Sequence, residues 1–193
     1  MKTIHERLDQ ILPLILDKRF RENKGLGNEI GFYIFDYDPK DELIVREHIA
    51  FLKQKVNTES SDMNIKEFDL YEIILEILSE KGYLEKVFTM EQAKGTNTIL
   101  TPVKKTLRLT HKDDQVVDRI RKETQANDVL FITGVGKAWP VIRSHSILNA
   151  LHAVIEDVPL IMFYPGTYSG QDLHLFDEIS DQNYYRAFKL IER

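Results

Sequence analysis

The amino-acid sequence predicts an α/β domain: a small, mostly parallel β-sheet flanked by helices, in a degenerate P-loop-like or Rossmann-like layering. Three observations carry this. Val129–Ile132 and Leu160–Tyr164 are continuously apolar runs, the pattern of strands covered on both faces. A helical stretch separates them by short connections, which makes a right-handed parallel strand–helix–strand unit. A β-rich block of Ile30, Phe32, Tyr33, Ile34 and Phe35 adds a strand far upstream. With 193 residues, 42% hydrophobic and 30% charged, the chain suits one domain with a sizeable core. That domain spans 1–193, with an N-terminal helical segment over 1–28 and a helix-rich insertion over 71–126.

Residues 3–20 follow helical spacing, with Ile4, Leu8, Ile11, Leu12, Ile15 and Leu16 in periodic positions. Pro13 is expected to kink or split this helix. Gly25 and Gly27 mark a loop. The first strand is placed over 29–36 and ends at Asp38-Pro39. A helix over 41–56 and a polar loop over 57–64 follow. A short strand over 65–70 leads into a helix over 71–80, stopped by Gly82. Next come a helix over 84–93, a loop over 94–101, and a helix within 111–126 carrying Val116, Val117 and Ile120. After the strand at 129–132, a helix is read from about Pro140 to Ile155, with Pro at a tolerated first-turn position. Beyond the strand at 160–164, a Gly/Ser loop precedes an edge strand over 173–176. Asn183 caps a last helix whose Tyr184, Phe188 and Ile191 share a face.

The chain has no cysteine, which excludes disulfides, thiolate metal ligands and a cysteine nucleophile, and fits a reducing cytoplasm. Its formal net charge of −5 argues against sequence-independent DNA binding by the domain as a whole. Its N-terminus lacks the apolar core of a signal peptide. The longest apolar run, 158–164, contains Pro159 and is too short to span a bilayer.

The turn Gly134-Val135-Gly136-Lys137 after the apolar strand invites comparison with a phosphate loop. That loop needs Gly four residues before its Gly-Lys pair, and Ser or Thr after the Lys. Phe131 and Ala138 stand there instead, and Trp139 occupies the third-glycine position of a dinucleotide fingerprint. The helix start could still bind an anion; otherwise the turn is a tight strand-to-helix connection. In an open parallel sheet, ligands bind beyond the carboxyl ends of the strands. That rim would collect Asp36, Asp38, Thr133, Gly134, Gly136 and Lys137, with Pro165–Tyr168 alongside. Two carboxylates and a lysine suit a metal-bound phosphate, while Asp-x-Asp-Pro and Pro-Gly are equally ordinary turn chemistry.

On the helix after the glycine turn, Val141, Ser144, Leu148, Leu151 and Ile155 share one face, and Arg143 points away from it. His145 and His152 lie about 10 Å apart along the axis, too far to share a metal. Ser and His adjacent in a helix diverge by about 100°, which argues against a catalytic pair. His174 lies near Asp172, Asp177 and Glu178 at spacings that are not diagnostic of a metal. The C-terminal stretch is dense in aromatics. Tyr168 and the Tyr184-Tyr185-Arg186 run, with Arg143, are the candidate partner-binding residues. Lys104, Lys105 and Arg108, like Lys18, Arg19 and Arg21, read as small solvated basic faces.

Read together, Leu130-Phe-Ile-Thr-Gly-Val-Gly-Lys137, Pro140-Val-Ile-Arg-Ser-His-Ser-Ile-Leu-Asn149, Met162-Phe-Tyr-Pro-Gly166 and Asn183-Tyr-Tyr-Arg-Ala-Phe188 resemble the BrxB family of bacterial BREX phage-defence systems. The likeness takes in the early Phe35-Asp-Tyr-Asp-Pro39, whereas 57–110 carry no distinctive motif. BREX systems mark host DNA by adenine methylation and block phage DNA replication. The resemblance implies a non-catalytic accessory component with no cofactor. Its expected partners are BREX proteins: chiefly the phosphatase-like PglZ, then the methyltransferase and the large ATPase, with DNA reached indirectly. Two other readings stand beside it: an enzyme or nucleotide sensor using Asp36, Asp38, Thr133 and Lys137, and a DNA-contacting subunit.

Overall fold

The computed structural model describes residues 2–21, 31–60, 62–181 and 187–193. Three short helices come first: α1 (Ile4–Leu8), α2 (Ile11–Leu16) and α3 (Lys18–Arg21). Thr3 and Glu6 form a reciprocal capping box that starts α1. The breaks fall at Asp9-Gln10 and Asp17, not at Pro13. Pro13 is the third residue of α2, within the first turn, where the backbone N–H has no intrahelical acceptor to lose.

Strand β1 (Phe32–Tyr37) and a 3-10 turn over Pro39–Asp41 lead to α4 (Glu42–Glu59), which continues into the segment expected as loop. Strand β2 (Asn64–Asp69) follows, then α5 (Leu70–Glu80), α6 (Leu84–Lys94), α7 (Asn97–Leu107) and α8 (Gln115–Glu123). Helix α7 occupies the expected loop and carries Pro102 in its interior. Val103 and Leu107 are buried and Ile99 packs beside them, so an apolar stripe at spacing four outweighs the one lost backbone hydrogen bond. Strand β3 (Asp128–Thr133) is next, then a four-residue helix, α9 (Val135–Ala138), and α10 (Ser144–His152). The helix expected from Pro140 thus begins four residues later. Pro140 follows a cis peptide in the turn between α9 and α10. Strand β4 (Leu160–Tyr168) extends into an antiparallel ribbon with β5 (Leu173–Leu175) and β6 (Ile179–Asp181).

At the C-terminus, Phe188 and Lys189 form β7, parallel to β1, where a helix face was expected. Phe188 closes against the Tyr33 ring at 6.2 Å, and backbone pairing to the open edge of β1 takes the place of helical bonds. Asn183 and Tyr184 of that expected helix lie outside the described residues.

The sheet runs β2-β3-β4-β1-β7 with every neighbour parallel. Alternate side chains face opposite layers. Phe32, Ile34, Leu130, Ile132, Leu160 and Met162 meet α5, α7, α8 and α10, whereas Phe35, Val129, Phe131, Ile161 and Phe163 meet α1, α2 and α4. Both faces are covered, as the unbroken apolar runs require.

Charge enters the interior most deeply at one position among the described residues. Asp36 is 0% exposed on β1, the strand beside β4. Its Oδ1 accepts from the Arg7 guanidinium at 3.0 Å. Its Oδ2 accepts from the Tyr168 backbone N–H and from Arg193 Nε, both at 3.1 Å. Arg7 also donates to the Ile191 carbonyl at 3.1 Å and lies over the Phe35 ring. Burial pulls the Arg7 guanidinium below its ordinary pKa, and the Asp36 carboxylate opposes that shift. Removing one partner of such a buried pair costs about 3–5 kcal/mol, because the other charge is left uncompensated. Asp36→Ala is therefore expected to lower unfolding free energy by that order in urea titration. Arg193→Ala, whose side chain is partly exposed, should cost clearly less.

Candidate functional site

The carboxyl ends of β2 and β3 and the first half of α4 enclose a cleft of about 170 Å³. Its floor is Phe163 of β4, and Val45 and Ile49 of α4 form one wall. The remaining lining is polar and comes from elements far apart in sequence.

Glu67 of β2 accepts from the Thr133 hydroxyl at 2.8 Å and from Lys53 Nζ at 2.6 Å. Tyr37, at the end of β1, donates its hydroxyl to Glu42 at 2.5 Å, and Arg46 Nε donates to the same carboxylate at 2.7 Å. Burial, with the Glu42 charge and hydrogen bond, raises the Tyr37 phenol far above its ordinary value, so it stays protonated and donating. Asp69 ends β2 and caps α5: its Oδ1 accepts from the N–H groups of Tyr71 at 3.0 Å and Glu72 at 3.3 Å. Its Oδ2 takes Lys137 Nζ at 2.6 Å, and Glu72 stands 3.6 Å from the same ammonium.

The glycine turn owes its composition to this packing. Gly134 has φ of +68°, and a Cβ there would sit 2.1 Å from Asp69 Oδ1. At Gly136 a Cβ would come within 2.8 Å of the Phe176 ring. Helix α9 is a single turn and Lys137 folds back onto Asp69. With α9 only four residues long, its start offers one turn of backbone amides.

The expected rim divides. Thr133, Gly134 and Lys137 line the cleft together. Asp36 does not join them: its neighbour Tyr37 lines the cleft, while the Asp36 carboxylate is spent on Arg7 and Arg193. Asp38 caps the 3-10 turn and pairs with Lys40 at 2.6 Å on the surface. Gly136 packs against Phe176 rather than the cleft.

Among the expected partner residues, Arg143 is exposed at the start of α10. Tyr168 is not a surface residue. It is 0% exposed, and its hydroxyl donates to the Ala187 carbonyl at 2.7 Å and the Gly170 carbonyl at 3.1 Å. Tyr184, Tyr185 and Arg186 lie outside the described residues. His152 stacks on Phe32 at 3.9 Å, a packing role. His145 Nε2 and the Ser146 hydroxyl approach to 3.0 Å, so neighbouring side chains in this first turn do meet, against the expected divergence. Among the described residues no group of three His, Cys, Asp or Glu is placed to hold a metal. Among those residues no helix is long and apolar enough to cross a membrane.

Glu67, Asp69, Tyr37, Glu42 and Arg46 are site residues that sequence reasoning missed. Asp69 had a signal: an acidic residue between a strand and an apolar helix start, with Glu three positions on, is a helix-cap pattern. Glu67 leaves no local trace beyond a charge inside the short strand.

The fold and cleft define a parallel α/β domain whose strand-end crevice is occupied by its own ion pairs. A family model described as "BREX protein BrxB" matches residues 66–190. A BREX protein BrxB from Bacillus cereus (strain H3081.97) is 60% identical over 193 residues, covering 100% of each chain. A second, from Escherichia coli O9:H4 (strain HS), is 41% identical over 187 residues, covering 96% of this chain and 90% of that one. No solved structure matches. The chain belongs to the BrxB family of BREX proteins.

The glycine geometry carries a stability prediction. Gly134→Ala combines left-handed backbone strain with a clash on Asp69, and should lower stability by about 1–3 kcal/mol. Gly136→Ala, with no left-handed backbone, meets the end of the Phe176 ring and Pro165 Cγ, and should cost less. Thermal midpoints of the two variants, measured side by side, check the order.

Proposed function

We propose that this chain is a non-catalytic accessory component of a BREX phage-defence complex in the cytoplasm. It acts by binding other BREX proteins, PglZ first, with the methyltransferase and the ATPase as further partners and DNA reached through them. The observation that carries this reading is the state of the strand-end cleft. Lys137 is held by Asp69 and Glu72, Glu67 by Lys53 and Thr133, and Glu42 by Tyr37 and Arg46. A general base or nucleophile needs an uncommitted lone pair, and a phosphate site needs cations free to form charge-assisted bonds. Here each of these charges is committed to an opposite charge in the same chain, which makes the cleft a structural joint between α4, α5 and the sheet.

Elsewhere the surface offers contact chemistry. Trp139 is 41% exposed beside the α9–α10 turn, and Arg143 is exposed four residues on. Trp and Arg are favoured anchors of protein interfaces. Family membership supplies the set of partners to try.

Affinity purification of the tagged chain from cells expressing its whole defence operon tests this. PglZ is expected to be retained at near-equimolar ratio through moderate-salt washes. Retention of no operon-encoded protein would falsify the reading.

A further inference from the structure

We propose that the groove between the C-terminal end of α7 and the start of α10 docks an extended peptide segment of a partner protein, carrying one apolar side chain flanked by carboxylates. The inference rests on the binding role proposed above and names the chemistry that role would use.

The groove encloses about 170 Å³. Leu109, Val141, Ile142 and Ile147 supply its apolar lining, and Lys104 and Arg143 bring cations from two different helices. The volume lies below the roughly 300–1,000 Å³ of small-molecule sites and suits a single side chain.

Several other cations of this chain are spent on internal ion pairs. Nearby Arg108 pairs with Asp113 at 2.6 Å, Arg119 with Glu76 and Glu80, and Lys137 with Asp69. Lys104 and Arg143 have no ion pair or side-chain hydrogen bond among the described residues. Asp114 also lines the groove, but its carboxylate is consumed by backbone. Oδ1 accepts from the N–H groups of Val116 and Val117, and Oδ2 from that of Thr110. Arg143 holds the N-cap position of α10, at the mouth of the groove.

An apolar pocket bordered by two uncommitted cations, on a chain of net charge −5, selects its occupant by charge. A carboxylate-bearing segment gains both cations, and its apolar residue fills the floor, as an anchor does at an interface. A nucleic-acid backbone would use the cations and leave the apolar lining without a contact. The sequence marked Arg143 as a contact residue and Lys104 as a solvated face; the packing of α7 beside α10 puts them on one groove.

The test uses the full tagged chain co-purified from cells expressing the whole operon. Lys104→Glu/Arg143→Glu is compared with wild type, with Arg143→Glu alone, and with Lys94→Glu on exposed α6 as a charge control. The double variant should retain about tenfold less of the bound BREX protein, the single variant several-fold less, and the control a wild-type amount. Zero-length carbodiimide coupling should join Lys104 to an Asp or Glu beside an apolar residue of the retained protein. If the double variant melts lower than wild type, Arg143→Glu alone, at an exposed position, decides. Wild-type retention by both Arg143 variants overturns the groove assignment and leaves the binding role standing. Absence of any retained BREX protein with the wild-type chain overturns the binding role and the assignment together. Duplex DNA bound by the isolated wild type and lost in the double variant, with protein retention intact, makes the groove a phosphate site and overturns the peptide.

Discussion

A carboxylate with no solvent contact in the interior of a parallel sheet must find its compensation inside the fold. Asp36 draws it from both extremes of the described chain: Arg7 from α1 and Arg193 from the far end, with the Tyr168 N–H as a third donor. Much of the architecture follows from these bonds. Arg7 fixes α1 over the Phe35 ring and ties it to the Ile191 carbonyl. Arg193 also donates to the Gly166 carbonyl, which locks the segment after β7 against the end of β4. The terminal segments, ordinarily the least ordered parts of a domain, are thus bound to its centre.

The same cluster decides where a ligand site is not built. In a doubly wound sheet the crevice beyond the strand ends is the usual binding place. Here Asp36 is withdrawn into the ion cluster on one side of β4. Within the cleft the Lys137, Glu67 and Glu42 pairs supply internal hydrogen bonds. Asp69 links the two glycine-turn demands. It caps α5, holds Lys137, and occupies the space that a Cβ at position 134 would need. A crevice of this kind joins secondary structures rigidly. Unspent charge lies instead between α7 and α10, on the opposite layer from α4, where an apolar floor accompanies it.

The sequence made the sheet interior readable because burial on both faces leaves a local trace: unbroken apolar runs at β3 and β4, and Gly and Asp punctuation beside them. Helix α8 was legible through Val116, Val117 and Ile120, and the end of α5 through Gly82. Helix α7 was hidden because Pro102 is a local breaker, while the stripe that stabilises it is rewarded only by a core assembled from distant segments. Strand β7 is two residues long and exists through its pairing with β1. Of the candidate site, the glycine turn and Thr133 were visible. Their partners were not: Lys137 meets Asp69 across 68 residues, and Asp36 meets Arg7 and Arg193 across 29 and 157. Asp36 and Asp38 looked like a pair because they are close in sequence, but β1 ends between them: Asp36 enters a buried ion cluster and Asp38 caps the turn that follows. Family motifs located the chain among known proteins without supplying any of these contacts.

On the proposed reading the cleft is a structural joint and the activity in defence lies in a binding surface. Phage plating efficiency on cells carrying the defence operon tests it most directly, with this chain encoded as wild type, as Lys137→Met, or as Lys104→Glu/Arg143→Glu at matched protein levels. The account predicts that Lys137→Met keeps protection and that the double variant loses it. Loss of protection with Lys137→Met, together with full protection by the double variant, would contradict it.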